Sequence, residues 1–274
     1  INYKPSLFVP VGKETKYKTL DGRYVERIKF DSMPEATKWV NEYKNVTNFE
    51  YFGNTRHQYP FIADEFKGKV KWDINQIKIL TVDIECESEN GFPSPEKADQ
   101  PLICITVKDH ISKKIIVFGI GSFVNDREDV QYIDCVTEQG LVETFTKFWV
   151  EYSPNIITGW NVKFFDIPYL MNRFRYLMGD EWINQYSPWG IVEQKQSLTG
   201  FAGNSREQQV WNIMGVDTVD YLDLYRKFTF VRRESYKLDY IGEVELGQNK
   251  LENPYDTFKE FYQNDYQRFV EYNI

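Results

Sequence analysis

The stretch KILTVDIECES, residues 78–88, limits what this chain can fold into more than any other. Its apolar-rich run reads as a buried β-strand, and Asp83 and Glu85 arrive at its end. Side chains alternate along a strand, so the two carboxylates emerge on one face while Ile84 points to the other. Side by side they repel each other and lose solvation. A fold that keeps them there needs a reason.

The chain has 274 residues, enough for one large domain or two modest ones with a substantial core. Hydrophobic residues make up 42% and aromatic residues 17%, which excludes a disordered chain. No apolar run approaches the roughly 20 residues of a membrane span, so no membrane partner is expected. The opening segment turns polar at once, unlike a signal segment. Three cysteines without C-x-x-C spacing suggest a reducing compartment and no disulfide framework. Two histidines are few for zinc enzymes or His-based nucleophilic triads. A net charge of −8 argues against a nucleic-acid grip by the whole surface, yet leaves room for an enzyme whose metal ions screen its own carboxylates.

Along the chain, a first segment to about residue 76 mixes strand-like pieces (YVERIKF) with an amphipathic helix around MPEATKWVNEYKNV and polar loops such as GNTRHQYPF. A boundary is expected near Asp73–Asn75. Strands follow in quick succession: IKILTVDIE, PLICITVKD, KKIIVFGIG and VQYIDCV. A helix is predicted at EQGLVETFTKFWVEY, where Leu141, Phe145 and Phe148 recur at helical spacing. A short buried strand, NIITGW, leads into a second helix whose stripe is Ile167, Leu170, Met171, Phe174 and Leu177. EQKQSLTGFAGNSREQQVW reads as an exposed hairpin with a Gly-rich tip. Helices are predicted at DTVDYLDLYRKFTF and, as one run, at TFKEFYQNDYQRFVEYN. Strands first and strand–helix alternation later imply an α/β domain with a mixed sheet.

A lone Asp-x-Glu is more often an edge strand dipping into solvent. A second site changes that balance. In TGWNVKFFDIPYL, Asn161 and Asp166 lie in the turn from a buried strand into a helix. Asp166 could simply cap that helix, with Ile167 and Pro168 in its first turn. Both sites nevertheless fall where apolar strands finish, which is where open α/β sheets gather ligands. Three carboxylates meeting there are costly unless a divalent cation sits among them, and oxygen-only ligands favour Mg²⁺ or Mn²⁺. Two such ions, roughly 3.5–4 Å apart, suit phosphodiester hydrolysis.

DIE followed downstream by NVKFFD resembles the first two exonuclease motifs of B-family DNA polymerases. KPSLFVP, GFPSPEKADQP, TGWNVKFFDIPYLMNR, DYLDLYRKFTF, SYKLDYIGEVEL and YQRFVEYNI extend the likeness, over nearly the whole chain, to the replicative polymerases of T-even-type tailed phages. The resemblance implies a DnaQ-like 3′→5′ proofreading exonuclease on an RNase H-like mixed sheet flanked by helices, residues 77–274. A small α+β partial N-terminal domain, residues 1–76, would precede it. It further implies two Mg²⁺ or Mn²⁺ ions, the single-stranded 3′ end of a primer as substrate, and the palm, fingers and thumb of a polymerase as partners. The setting would be the cytoplasm of an infected bacterium.

Carried over position by position, the resemblance makes Asp83 and Glu85 metal ligands, with Asp83 bridging both ions, and gives the second ion to Asp166. Asn161 would hold the turn or touch the terminal nucleotide. Phe92 matches a phenylalanine wedged against frayed bases, a sequence-tolerant contact because every base has a π-face; a core-packed loop anchor is the competing reading. Arg206 matches a hairpin arginine that holds the unpaired primer end, against an ordinary solvated charge. Lys250 is placed facing the scissile phosphate. The third motif is Tyr-x-x-x-Asp on a helix. Tyr272 fits its tyrosine, which would orient the attacking water, and its aspartate would fall two residues past Ile274. The expectation is therefore a piece of a longer polymerase, without polymerising activity of its own and with weakened cleavage. The rival reading is an inactive nucleic-acid-binding or assembly fragment of a split polymerase.

Overall fold

The computed structural model describes residues 3–68, 71–89, 91–199, 206–249 and 251–274, and at 198, 199, 206 and 207 the backbone alone. The chain divides into two compact units, Ile1–Trp72 and Asp73–Ile274. In the first, β1 (Ser6–Pro10), β2 (Tyr17–Lys18) and β3 (Tyr24–Lys29) form an antiparallel sheet in the order β1-β3-β2. Helix α1 (Met33–Tyr43) starts where the Ser32 hydroxyl accepts the Glu35 N–H and Pro34 fills the first turn. It buries Ala36 in a small cluster with Leu7 and Phe30. Helix α2 (Gln58–Glu65) occupies a stretch expected to be loop. It has no fully buried residue and no side-chain cap, so neither signal marks it in the sequence.

The second unit is built on a mixed sheet, six strands among the described residues. They are β4 (Ile79–Cys86), β5 (Leu102–Asp109), β6 (Ile115–Gly119), β7 (Val130–Asp134), β8 (Ile156–Gly159) and, after the hairpin β9 (Val192–Thr199) and β10 (Arg206–Ile213), β11 (Asp217–Asp220). The sheet order is β11-β8-β4-β5-β6-β7. Strands β11, β8 and β4 run parallel, β5 is antiparallel to both its neighbours, and β7 is parallel to β6. Helices α3 (Glu138–Tyr152) and α4 (Asp166–Met178) cover one face. There Leu80, Val82, Ile84, Ile105 and Val107 meet Leu141, Phe145, Trp149, Leu170 and Phe174 in the main core. This is an RNase H-like arrangement, a mixed sheet flanked by helices.

Two readings of the later chain change. Asp217–Asp220 is a strand, and the helix α5 (Tyr221–Phe228) begins only after Asp220, which caps it by accepting the Leu222 N–H at 2.9 Å. Helix α6 (Leu238–Leu246) follows. The final run is two helices, α7 (Phe258–Asn264) and α8 (Tyr266–Tyr272), because Asp265 leaves helical geometry and its carboxylate accepts the Arg268 N–H. Phe261, Tyr262, Phe269 and Val270 from these helices close the opposite sheet face over Ile103, Cys104, Ile115, Val117 and Val130. Among the described residues no helix is long and apolar enough to cross a membrane.

Candidate active site

Strand β4 is central, with β8 on one side and β5 on the other, so Asp83 and Glu85 do not lie on an edge. Leu80, Val82, Ile84 and Cys86 are buried, whereas Asp83 is exposed and Glu85 half-buried. The alternation read from the sequence holds residue for residue. Strand β8 pairs with β4 only as far as Thr81–Thr158, then turns away at Gly159. That glycine is required by contact: a Cβ there would lie 2.6 Å from the Val82 carbonyl oxygen. Among the described residues no strand pairs with β4 on that side beyond Thr81.

Asp166 fills the opening. It is the first residue of α4 and 3% exposed, and its Oδ1 accepts the Ile84 N–H at 3.2 Å. The carboxylate thus bonds β4 between Asp83 and Glu85 rather than capping its own helix, where no side-chain cap bond exists. Burial pushes the Asp166 carboxyl well above the usual carboxylate range, and the charges of Asp83 and then Glu85 push the same way. Its own N–H and that of Ile84 pull against them. The sequence expected three crowded carboxylates, and these electrostatics are what crowding means physically. As placed, they are not yet gathered for an ion: among the described residues no group of three or more His, Cys, Asp or Glu side chains is arranged so that it could hold a metal.

The turn between β8 and α4 is set by a residue the sequence reading missed. Asp220, 4% exposed at the end of β11, accepts the N–H groups of Asn161 at 3.1 Å and Lys163 at 3.0 Å besides capping α5. Asn161 takes a left-handed φ of 66°, a conformation asparagine tolerates better than most residues. Reading β11 as helix hid Asp220. An acidic residue opening a helix two positions before its first buried leucine was the available signal.

A second missed device anchors α4. Arg173 is 5% exposed and forms a two-pronged ion pair with Glu138, both N–O distances 2.7 Å, while donating to the Ala98 carbonyl. Glu138 also accepts the Leu102 N–H at 2.7 Å. One charged pair thereby joins α4, α3 and the start of β5. An arginine beside the apolar stripe Leu170–Met171–Phe174 was the visible clue.

Phe92 is 85% exposed, and its ring lies 5.5 Å from that of Phe165, the residue before Asp166. It is therefore not a core anchor. Tyr272 ends α8 with its ring edge-on to Phe261 at 5.7 Å, packed against the cluster that contains Cys104. Cys104 faces Glu85 across the β4–β5 ladder, which puts α8 over the sheet face that carries the carboxylates. Burial, with Glu85 and Asp83 adding to it, pushes the Cys104 thiol up to about 12, so it is inert. Arg206 is the first residue of β10, paired with Thr199. Its side chain and Lys250 lie outside the described residues.

An RNase H-like sheet with acidic groups where β4 ends defines a class of fold. The sequence profile of the DNA polymerase family B exonuclease domain matches residues 35–241, and the chain belongs to that family. It is similar to the DNA-directed DNA polymerase of Escherichia phage RB69, 30% identical over 303 residues, covering 100% of this chain and 33% of that protein. The DNA-directed DNA polymerase of Enterobacteria phage T4 is 28% identical over 302 residues, with 100% and 32% covered. The DNA polymerase delta catalytic subunit of Caenorhabditis elegans is 27% identical over 207 residues, with 71% and 18% covered. The chain spans about a third of the length of the two phage polymerases it matches.

Proposed function

We propose that this chain is a metal-dependent 3′→5′ exodeoxyribonuclease, the proofreading part of a phage replicative DNA polymerase acting in the cytoplasm of an infected bacterium. The observation that carries the reading is the bond from Ile84 N–H to a buried Asp166, between two further carboxylates on one face of β4. In this reading residues 77–274 are the exonuclease domain and 1–76 part of an N-terminal domain. The palm, fingers and thumb of the polymerase are its partners.

Asp83, Glu85 and Asp166 would hold two Mg²⁺ or Mn²⁺ ions. The donor chemistry suits these ions, since it offers only oxygen and Asp166 carries a like-charge burden that a cation lifts. When bound, the ions supply activation of water and stabilisation of the leaving oxygen. The chain's own residues do the rest. Asp220 and Gly159 fix the turn that delivers Asp166. Phe92, exposed beside Phe165, stacks the frayed terminal base. Asn161 steadies the turn beside that nucleotide, Arg206 and Lys250 hold the strand's phosphates, and the Tyr272 hydroxyl orients the attacking water.

The test is end-labelled oligonucleotides with paired or mismatched 3′ termini, with Mg²⁺ or Mn²⁺. Single-stranded and mismatched ends should be shortened faster from the 3′ side, because a paired end must first be melted. Degradation from the 5′ end or internal nicking would overturn the assignment.

A further inference from the structure

A cleft of about 1100 Å³ opens beside the candidate site, lined among others by Lys163, Asp220, Arg226, Lys227, Phe230 and Arg232. Its lining brings four cations, Lys163, Arg226, Lys227 and Arg232, against two carboxylates, Asp220 and Asp223. Asp220 is already engaged by three backbone N–H groups. The neighbouring Arg233 is taken up by Glu245 and the Tyr225 hydroxyl. Among the described residues, by contrast, none of the four lining cations is held in an ion pair, and three lie over aromatic rings. Arg226 is 4.7 Å from the Tyr236 ring, Lys163 5.1 Å from Phe164 and Lys227 5.6 Å from Phe228. Phe230 is 97% and Phe228 65% exposed. In a chain of net charge −8, the cleft thus gathers a local excess of cations beside bare aromatic rings.

The cleft is tied to the site by its walls. Lys163 stands three residues before Asp166 in the β8–α4 turn, and Trp160 in the same turn donates to the Tyr236 carbonyl at 3.1 Å. β11 lies two strands from β4, about 10 Å at ordinary strand spacing. A strand held at the carboxylates therefore reaches the cleft within a few nucleotides.

We propose that the cleft between β11, α5 and Tyr236 is a second binding site for single-stranded DNA. Lys163, Arg226, Lys227 and Arg232 contact its phosphates, and Phe230 offers a face on which a base stacks. This rests on the exonuclease reading, because it is the same strand, away from the end being hydrolysed, that the cleft takes. Unpaired cations suit a polyanion, and exposed rings suit unstacked bases rather than a duplex, whose bases are already stacked.

The experiment measures binding of fluorescent oligothymidylates, three and twelve nucleotides long, to the 274-residue chain by anisotropy across a salt series, in Ca²⁺ to suppress turnover. The twelve-mer should bind much tighter than the trimer, with a steeper salt dependence. In Lys227→Ala/Arg232→Ala the twelve-mer's slope of log K on log salt should flatten by about 1.4, two phosphate contacts at about 0.7 each. Phe230→Ala should weaken the twelve-mer about tenfold. Both changes are at exposed side chains, and thermal melting checks that the fold is kept. Equal trimer and twelve-mer affinities, or an unchanged slope in the double variant, overturn the cleft. Phe92→Ala separates the two proposals. Loss of trimer binding in that variant, together with 3′ shortening by the wild type, upholds the exonuclease reading whatever the cleft does. Absence of 3′ shortening sinks that reading, and the cleft proposal with it.

Discussion

Strand β4 has two faces with opposite duties. Leu80, Val82, Ile84 and Cys86 are sealed into the main core under α3 and α4. On the other face, Asp83 and Glu85 project from the same strand, one residue out of phase. The apolar face supplies the burial that holds the unit together, roughly 1.5–3 kcal/mol for each large side chain fully buried. The acidic face gives stability up, since its carboxylates repel one another and Asp166. A strand with period two can do both only because a neighbour, β8, leaves at Gly159 and lets Asp166 in.

That division can be broken by experiment. Asp83→Ala should lower 3′ shortening of single-stranded DNA about a thousandfold, equivalent to roughly 4 kcal/mol of lost transition-state stabilisation. Because Asp83 is exposed, the urea midpoint of the second unit should barely move. A large loss of stability would mean that the acidic face is structural after all.

The converse change sits three residues earlier. Leu80 is fully buried, and Leu80→Ala should destabilise the unit by about 3 kcal/mol, seen as a lower urea midpoint. The rate per folded molecule should stay near wild type, because Leu80 faces away from the carboxylates. Loss of rate without loss of stability would show that the two faces are not separable.

How much of this was legible in the sequence follows the same line. Strict alternation in KILTVDIECES placed Leu80, Ile84, Asp83 and Glu85 on their proper faces, because strand geometry is local. Helix α3 was readable to the residue, since Thr137 caps it and its buried stripe is regular. What escaped depends on distant partners. β11 is four residues long and pairs with β8 some sixty positions away, so its Asp217–Asp220 sequence looked helical. Asp220 as the clamp of the Asn161 turn, and Arg173 joined to Glu138, are long-range ionic or capping contacts that no local period announces. For Asp166 the sequence left helix capping open beside a site role, because a helix-opening aspartate ordinarily caps. Here the cap position is Phe165, and the carboxylate crosses to Ile84.

The smallest effect isolates the cost of the acidic face. Asp166→Asn keeps an oxygen for the Ile84 N–H and removes the buried charge. Since burial and the charges of Asp83 and Glu85 raise the native carboxyl above its ordinary 3.8, the native state binds this proton more tightly than the unfolded chain does. Stability then falls as pH rises from about the unfolded value through the native one, and the deficit persists at neutral pH. The asparagine variant, stripped of divalent cations, should therefore melt higher than wild type at pH 7, by about 2–4 °C for each kcal/mol recovered in a unit of this size. At pH 3, where both forms are neutral, the two should melt together. Adding Mn²⁺ should raise the wild type and leave the variant behind, since binding to the native state alone stabilises it. A variant that melts lower than wild type at pH 7 without metal would show that the charge on Asp166 is already balanced inside the fold, and that the acidic face costs β4 nothing.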